Sequence, residues 1–270
     1  MSRGARPPER SPRRLGQNFL ADPNLLDAIV REAALTPEDV VLEVGGGAGA
    51  LTERLAPAVR WLHVVEIDER LRDDLGDLVE EAGGGIDLVW GDVMKVDLSS
   101  LAPVPTKMVA NLPYSIATPL LVKTIAELPS VESWLVMVQR EIADRLRADP
   151  GTREYGSPSV LVQLACEVTM LRTVDPAVFV PRPRVGSALL RLRRKRAGAD
   201  DDLAAVVRLG FAHRRKSLAR SLELARAGSL APARAALESM GKPPDARAET
   251  LSPEEWEVFG RALAEHGEES

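Results

Sequence analysis

Four short apolar runs in the first half of the chain each end beside a residue suited to ligand binding. They lie at residues 40–44, 61–68, 86–90 and 106–110, and helices are predicted after the first two, from near Leu51 and over about 69–80. Strands that alternate with helices predict βαβ units and an open, mostly parallel sheet. The carboxyl ends of parallel strands meet at one edge, where such sheets bind ligands. We therefore predict an α/β, doubly wound fold whose site is built from successive strand ends.

The first run leads into a glycine-rich turn, Gly45-Gly46-Gly47-Ala48-Gly49. Glycines at positions 45 and 47 let the backbone pass close to a ligand, and the helix that starts near Leu51 offers unpaired N–H groups. In a dinucleotide-binding turn the third glycine follows the second by three positions. Here it follows by two, so the spacing favours a different nucleoside-bearing ligand.

Carboxylates stand at the ends of the next two runs. Glu66 comes about 20 residues after the glycine turn, where an acid can accept hydrogen bonds from ribose hydroxyls. Asp68, two positions later, is better placed to cap the following helix. Asp92 follows the third run and can accept a hydrogen bond from an adenine amine. These acids predict a pocket for a nucleoside.

The fourth run ends in Asn111-Leu112-Pro113-Tyr114. An adenine amine is a poor nucleophile because its lone pair is delocalised into the ring. The Asn111 side-chain oxygen and a backbone carbonyl freed by Pro113 can each accept an N–H bond from that amine, while the Tyr114 ring stacks on the base. This chemistry needs no metal. The same four residues also suit an ordinary strand-to-helix turn.

Composition sets limits on the class of protein. The chain has 270 residues, of which 45% are hydrophobic, which is enough for a sizeable core. No apolar run reaches about 18 residues, and the N-terminus has no hydrophobic signal core. We therefore expect a cytoplasmic protein that spans no membrane. Cys166 is the single cysteine, so a cysteine-based metal cluster is excluded, and its apolar neighbours predict a buried thiol.

Positive charge is concentrated in a few segments although the formal net charge is −5. Residues 1–14 carry five arginines, residues 191–196 carry five basic side chains, and a third cluster includes Arg214, Arg215 and Lys216. Segregated positive charge suits a phosphate backbone. It is also compatible with ordinary solvated surface charge.

Upstream of the first run, Asp22-Pro23 predicts the start of a helix over about 23–34, with Asp22 as N-cap. The element Gln17-Asn18-Phe19-Leu20 lies just before it. Alone, this element is compatible with a loop that buries Phe19.

Taken together, the motifs resemble the ribosomal RNA adenine dimethyltransferase family. More specifically, they resemble the enzymes that dimethylate two adjacent adenines near the 3′ end of small-subunit (16S) rRNA with S-adenosylmethionine. The resemblance runs from Gln17 to about Phe259. It implies a Rossmann-like methyltransferase sheet with a small C-terminal all-α domain. The motifs that carry it are Gly16 to Leu20, Leu42 to Thr52, Glu66-Ile67-Asp68, Gly91-Asp92 and Asn111 to Tyr114.

The resemblance also implies roles for individual residues. The tetrad from Asn111 to Tyr114 would receive the target base, and Phe179 would supply a second stacking face opposite Tyr114. Phe179 opens a loop, Phe-Val-Pro-Arg-Pro-Arg-Val-Gly-Ser, that ends at Ser187 and matches the family pattern. The residues expected to contact the methyl donor are Gln17, Asn18, Leu20, Gly45, Gly47, Glu66, Asp92 and Asn111. Those expected to contact RNA are Arg182, Arg184, Arg214, Arg215 and Lys216.

The expected domain organisation has four parts. Residues 1–14 form a basic tail that is disordered until bound, residues 15–196 form the methyltransferase domain, 197–202 a linker and 203–270 a helical RNA-binding domain with four amphipathic helices. The expected partner is small-subunit rRNA within a pre-ribosomal particle, and the expected state is a monomer without a metal.

Two alternatives remain open at this level. One is the related enzyme that dimethylates a large-subunit adenine and confers antibiotic resistance, which typically carries Ile where this chain has Leu112. The other is a non-catalytic RNA-binding ribosome assembly factor that keeps the fold.

Overall fold

A computed structural model describes residues 19–268. The predicted basic tail and the predicted donor contacts Gln17 and Asn18 lie outside these residues. The described chain divides into two compact units. The first contains the described residues up to Ala143 together with Val168–Arg194, and the second contains Asp144–Glu167 together with the described residues from Lys195 onward.

The first unit is built on a mostly parallel sheet that has seven strands within the described residues. The strands are β2 (Val40–Val44), β3 (Trp61–Glu66), β4 (Ile86–Trp90), β5 (Lys107–Asn111), β6 (Ser133–Gln139), β7 (Cys166–Val174) and β9 (Ser187–Arg194). Their order in the sheet is β4-β3-β2-β5-β6-β9-β7. Neighbouring strands from β4 to β6 run parallel, and β9 runs antiparallel to β6. The predicted α/β class is confirmed.

Burial explains why the central strands are apolar throughout. Val41, Leu62 and Val64 are fully buried, as expected of parallel strands that are covered on both faces. Helices flank the sheet and contribute to a shared core, for example through Leu26 and Ile29. The helices along this part of the chain are α1 (Pro23–Ala33), α2 (Thr52–Leu55), α3 (Arg72–Ala82), α4 (Ala117–Glu127) and α5 (Arg140–Leu146).

The predicted helix over 23–34 is confirmed, and Asp22 caps it by accepting a hydrogen bond from the Leu25 N–H at 2.8 Å. The strand predicted to run through Asp68 instead ends at Glu66. It ends there because the Glu66 carboxylate takes the next two backbone N–H groups, those of Ile67 and Asp68. Asp68 then accepts a hydrogen bond from the Arg70 N–H, as its predicted capping role requires.

A separate two-stranded ribbon pairs β1 (Phe19–Leu20) with β8 (Phe179–Val180) in antiparallel register. Phe19 lies opposite Val180, and Leu20 lies opposite Phe179. This pairing joins two segments that the sequence marked separately, the Gln-Asn-Phe-Leu element and the start of the proline-containing loop.

The second unit is helical and closes around aromatic rings. Phe211 stacks on Trp256 with ring centroids 5.6 Å apart, and it meets Tyr155 edge to face at 5.9 Å. The Tyr155 hydroxyl donates to the carbonyl of Leu251 at 2.9 Å. The helices are α6 (Ser157–Ala165), α7 (Asp201–Phe211), α8 (Leu218–Ala225), α9 (Leu230–Ser239) and α10 (Pro253–Glu268).

The four helices predicted beyond residue 203 are present, with ends shifted by a few residues. The structure groups residues 144–167 with this helical unit, whereas the sequence assigned them to the domain at 15–196. Helix α6 accounts for the difference, because it contacts α7 and α10.

Candidate active site

A cavity of about 380 Å³ opens at the carboxyl ends of β2, β3, β4 and β5. Its walls come from the glycine turn, from the loops that follow β3 and β4, and from the tetrad that follows β5. The structure thus brings most of the predicted site residues of the first unit together. Those that line the cavity are Leu20, Gly45, Gly47, Glu66, Asp92, Asn111, Leu112, Pro113 and Tyr114.

The glycine turn lines the cavity, and its backbone adopts conformations that residues with a side chain disfavour. Gly45 and Gly47 have φ of +79° and +58°. A Cβ on Gly47 would meet the Phe19 ring at 3.2 Å. Glycine at this position therefore allows the turn and β1 to approach closely.

Glu66 is oriented by hydrogen bonds from the backbone. Its Oε2 accepts from the Gly47 N–H at 3.0 Å, and its Oε1 accepts from the N–H groups of Ile67 and Asp68 at 2.9 and 2.8 Å. A carboxylate offers about four acceptor positions. Three are used within the protein, so Oε2 retains capacity for a hydroxyl donor in the cavity.

Asp92 lies next to Glu66 along the same edge. Its Oδ1 accepts from the Met94 N–H at 3.0 Å, which fixes the carboxylate. The Gly91 N–H donates to the Glu66 carbonyl at 2.8 Å and ties the two strand ends together. The two acids therefore form one rigid acceptor wall.

Two apolar residues on this wall were not predicted from the sequence. Ile67 is 50% exposed, and both Ile67 and Val93 line the cavity. Each directly follows one of the two predicted acids, and this position in the sequence could have marked both residues as part of the cavity wall. An exposed Ile beside two acids suits the flat face of a purine.

The tetrad presents its polar groups along one side of the cavity. The Leu112 N–H donates to the Met137 carbonyl at 3.0 Å, and the Pro113 carbonyl accepts from the Ile116 N–H at 3.2 Å. Among the described residues, no backbone N–H donates to the Leu112 carbonyl. Of the two carbonyls beside the proline, that of Leu112 is therefore the one that is not used by the local backbone.

The Tyr114 side chain is fixed at its far end. Its hydroxyl lies 2.7 Å from the Ser187 Oγ, at the start of β9. Partial burial raises the pKa of the Tyr114 hydroxyl above its usual value, and the hydrogen bond to Ser187 opposes that rise. The Tyr114 side chain is therefore uncharged near neutral pH, and its ring is half-buried.

Glu43 is a buried acid on the cavity wall that sequence reasoning did not select. It is 1% exposed, and its Oε2 accepts from the Thr52 Oγ1 at 2.8 Å. Burial raises its pKa to about 8, the charge of Glu66 adds to the rise, and the bond from Thr52 opposes it. Glu43 is therefore mainly protonated near neutral pH.

Phe179, for which the resemblance implies a stacking face, is a buried residue in the structure. Its ring is 2% exposed and packs in the hydrophobic core of the first unit, while its neighbour Val180 lines the cavity. Stacking on a base opposite Tyr114 would require the ring to leave this packing.

The predicted RNA contacts are exposed basic side chains. Arg182 is 67% exposed and lies 3.6 Å from Asp175, and Arg184 is exposed on the same loop. In the second unit, Arg214, Arg215 and Lys216 are exposed between α7 and α8. The Arg214 guanidinium donates to backbone carbonyls of its own unit at 2.8 and 3.1 Å. These groups can meet phosphates without a large desolvation cost.

Within the part of the chain that the structure describes, no cluster of His, Cys, Asp and Glu is arranged to hold a metal ion. No helix in that part combines the length and apolar character needed to cross a bilayer. Cys166 is buried, as predicted.

Comparison with known protein families gives one match over most of the chain. The family described as ribosomal RNA adenine dimethylase matches residues 9–255. The ribosomal RNA small subunit methyltransferase A of Thermobifida fusca is 42% identical over 266 residues, covering 95% of this chain and 90% of the relative. The protein of the same name from Rubrobacter xylanophilus is 41% identical, covering 94% and 96%.

Solved structures show the same fold. A dimethyladenosine transferase from Plasmodium falciparum superposes with a TM-score of 0.79 at 25% identity, covering 92% of this chain and 98% of the other. The 23S rRNA methyltransferase ErmE superposes with a TM-score of 0.64 at 29% identity, covering 92% and 100%.

Proposed function

The chain belongs to the ribosomal RNA adenine dimethylase family, and from that premise we propose that it dimethylates two adjacent adenines near the 3′ end of small-subunit rRNA. The methyl donor is S-adenosylmethionine. One observation carries the proposal: the predicted donor-binding acids and the predicted base-binding tetrad line a single cavity. Donor and acceptor sites in one cavity are what direct methyl transfer requires.

The donor side of the cavity fits a nucleoside. Asp92 accepts from the adenine amine, Glu66 accepts a ribose hydroxyl at Oε2, and Ile67 packs against the purine face. When bound, the donor supplies an electrophilic methyl group on a sulfonium. Leu20, Gly45 and Gly47 line the path between the nucleoside and Asn111. Gln17 and Asn18 are proposed to complete this side by the family resemblance.

The acceptor side fits a flipped adenine. The Asn111 side-chain oxygen and the Leu112 carbonyl accept the two N–H bonds of the target amine, and Tyr114 stacks on the ring. Positive charge develops on the amine as it attacks, so both hydrogen bonds strengthen in the transition state. Asn111 and Leu112 thereby stabilise the transition state more than the bound substrate. The proton leaves to solvent after transfer, and a second cycle on the monomethylated base gives the dimethyl product.

Exposed basic groups supply the RNA contacts in this proposal. Arg182 and Arg184 on the proline-containing loop, and Arg214, Arg215 and Lys216 in the helical unit, neutralise phosphates. The partner is small-subunit rRNA within a pre-ribosomal particle, bound by a monomer in the cytoplasm.

The relatives favour small-subunit rRNA over the large-subunit alternative. Eight relatives at 35–44% identity carry the name ribosomal RNA small subunit methyltransferase A. The large-subunit enzyme ErmE is 29% identical and superposes less closely than the dimethyladenosine transferase. Leu112 in the tetrad also agrees with the small-subunit type.

Methyl transfer to ribosomal particles tests the proposal. The protein is incubated with labelled S-adenosylmethionine and either unmethylated small-subunit particles or large-subunit RNA, and the products are digested to nucleosides. We expect labelled N6,N6-dimethyladenosine from two adjacent adenines of the small-subunit RNA. Label confined to large-subunit RNA would support the resistance-type enzyme. Donor binding without transfer to either RNA would support a non-catalytic assembly factor.

A further inference from the structure

We propose that Arg54 binds the carboxylate at the methionine end of the methyl donor. This inference rests on the proposed function and adds a donor contact that the sequence motifs did not mark. Arg54 belongs to α2, the short helix that follows the glycine turn, and its side chain lines the cavity.

Contacts at the cavity wall hold the Arg54 guanidinium in place. Its Nε donates to Asp27 Oδ1 at 2.9 Å, and its Nη1 donates to the Ala50 carbonyl at 2.9 Å. A guanidinium has five N–H donors. Within residues 19–268 only these two partners are found, so donors remain for a ligand. The side chain is 26% exposed, which leaves it accessible from the cavity.

The charges on the cavity walls complement the charges of the donor. Among the described residues that line the cavity, Arg54 is the one basic side chain, beside the acids Glu43, Glu53, Glu66 and Asp92. S-adenosylmethionine carries positive charge on its sulfonium and ammonium groups and negative charge on its carboxylate. Glu53, Glu66 and Asp92 suit the cationic groups, whereas the mainly protonated Glu43 adds little charge. A guanidinium suits a carboxylate because it can form paired, charge-assisted hydrogen bonds.

The order of the strands places the methionine end near α2. The strands β4, β3, β2 and β5 are successive neighbours in the sheet. They end at or just before Asp92, Glu66, Gly45 and Asn111, respectively. A donor with its nucleoside at the first two positions and its methyl group at Asn111 therefore crosses the turn after β2. That turn leads directly into α2, which carries Arg54.

A purely structural role for Arg54 is the competing explanation, since Arg54 joins α2 to α1 through Asp27. This pair is a weak candidate for a structural tie because Asp27 is 66% exposed. Exposed ion pairs contribute little to stability. A structural role would affect the binding of all ligands in the cavity, whereas a carboxylate contact would affect only ligands that carry the carboxylate.

The test compares two ligands by isothermal titration calorimetry. S-adenosylhomocysteine carries the amino-acid carboxylate, and 5′-methylthioadenosine shares the nucleoside but lacks the amino-acid end. We expect Arg54→Gln to weaken S-adenosylhomocysteine about tenfold or more, as for a lost charged hydrogen bond. Its affinity for methylthioadenosine should change less than about twofold. Asp27→Asn, which breaks the ion pair but keeps Arg54, should leave S-adenosylhomocysteine binding within about threefold.

A third ligand keeps the test independent of whether the variants fold. The carboxamide of S-adenosylhomocysteine removes the negative charge, and the unmodified protein should bind it about tenfold more weakly than the acid. Equal affinity of the unmodified protein for acid and amide, or an equal loss of both original ligands in Arg54→Gln, would overturn the role of Arg54. Failure of the unmodified protein to bind either S-adenosylhomocysteine or methylthioadenosine would instead contradict the proposed donor site itself.

Discussion

The Tyr114 hydroxyl lies 2.7 Å from the Oγ of Ser187, and this contact fixes the aromatic wall of the cavity. Ser187 is 1% exposed and begins β9, which pairs antiparallel with β6. The Tyr114 ring, which we propose stacks on the base, is therefore anchored at both ends, by the tetrad backbone and by β9, which pairs with β6. Ser187, the last residue of the proline-containing loop, thus supports the aromatic residue of the tetrad.

This anchoring predicts unequal effects of two substitutions at Tyr114. Tyr114→Ala removes the stacking face and should lower kcat/KM for RNA about 10- to 100-fold, the range for loss of one base stack. Tyr114→Phe and Ser187→Ala remove only the hydroxyl contact and should cost less than about tenfold. Steady-state kinetics on small-subunit particles measure all three. Equal losses in Tyr114→Phe and Tyr114→Ala would mean that the hydroxyl, rather than the ring, is what matters.

The glycine turn gives a prediction with a matched control. Gly47→Ala forces a side chain into a φ of +58° and against the Phe19 ring, and it disturbs the N–H that orients Glu66. We expect donor affinity to fall about tenfold and stability to fall by about 1–2 kcal/mol. Gly83 has a similar φ of +66° with nothing within 4 Å of its Cβ position.

Gly83→Ala should therefore show a similar backbone cost without a change in donor affinity. Calorimetric titration with S-adenosylhomocysteine and urea unfolding distinguish the two variants. A comparable loss of donor affinity in both would show that backbone strain alone, without any specific role of the turn, explains the result.

Glu43 predicts how stability depends on pH. Its pKa is about 8 in the folded protein against 4.5 ordinarily, so between these values the folded state holds a proton that the unfolded state has lost. The contribution of this group is therefore fully present below about pH 4.5 and is lost as pH rises through about 8. In that window it lowers the unfolding free energy by up to about 1.4 kcal/mol per pH unit.

Glu43→Gln keeps an acceptor for Thr52 and removes the titration. We expect the unfolding free energy of the variant to fall less than that of the unmodified protein between pH 5 and about pH 8.5. Urea unfolding at three pH values measures the difference. Parallel curves for the two proteins would show that Glu43 has no raised pKa.

Phe179 is a case in which the structure and the family resemblance point to different roles. Its burial in the core predicts that Phe179→Ala destabilises the protein by about 3–5 kcal/mol. Phe179→Leu fills most of the same space, so we expect it to retain kcat/KM within about threefold. A loss beyond tenfold in a stably folded Phe179→Leu would instead support the predicted stacking face and a ring that leaves the core when the base enters.

Much of the fold could be predicted because the sheet is parallel and buried. Strands covered on both faces appear as continuous apolar runs, and Val40–Val44 and Ile86–Trp90 match the predicted runs directly. The candidate site residues that line the cavity stand where such a run meets a polar residue or glycine, as at Gly45, Glu66 and Asn111. Strand ends are local features, and a local pattern reveals them.

The remainder depends on contacts between residues far apart in the sequence. The pairing of Phe19 with Val180 joins two-residue strands that have no pattern of their own. The raised pKa of Glu43 depends on burial and on the charge of Glu66. The position of Arg54 on the cavity wall depends on the path of the chain after the glycine turn. None of these has a signal in local sequence.

Asn111→Ala gives the most direct test of the central claim, that the donor and the target amine meet at Asn111. The measurement is the single-turnover rate of methyl transfer to small-subunit particles, with the dissociation constant of S-adenosylhomocysteine determined on the same preparation. We predict that the rate falls about 100-fold or more, as for loss of a transition-state hydrogen bond, while the dissociation constant changes less than about threefold. An unchanged rate, or a rate loss matched by an equal loss of donor affinity, would contradict the account.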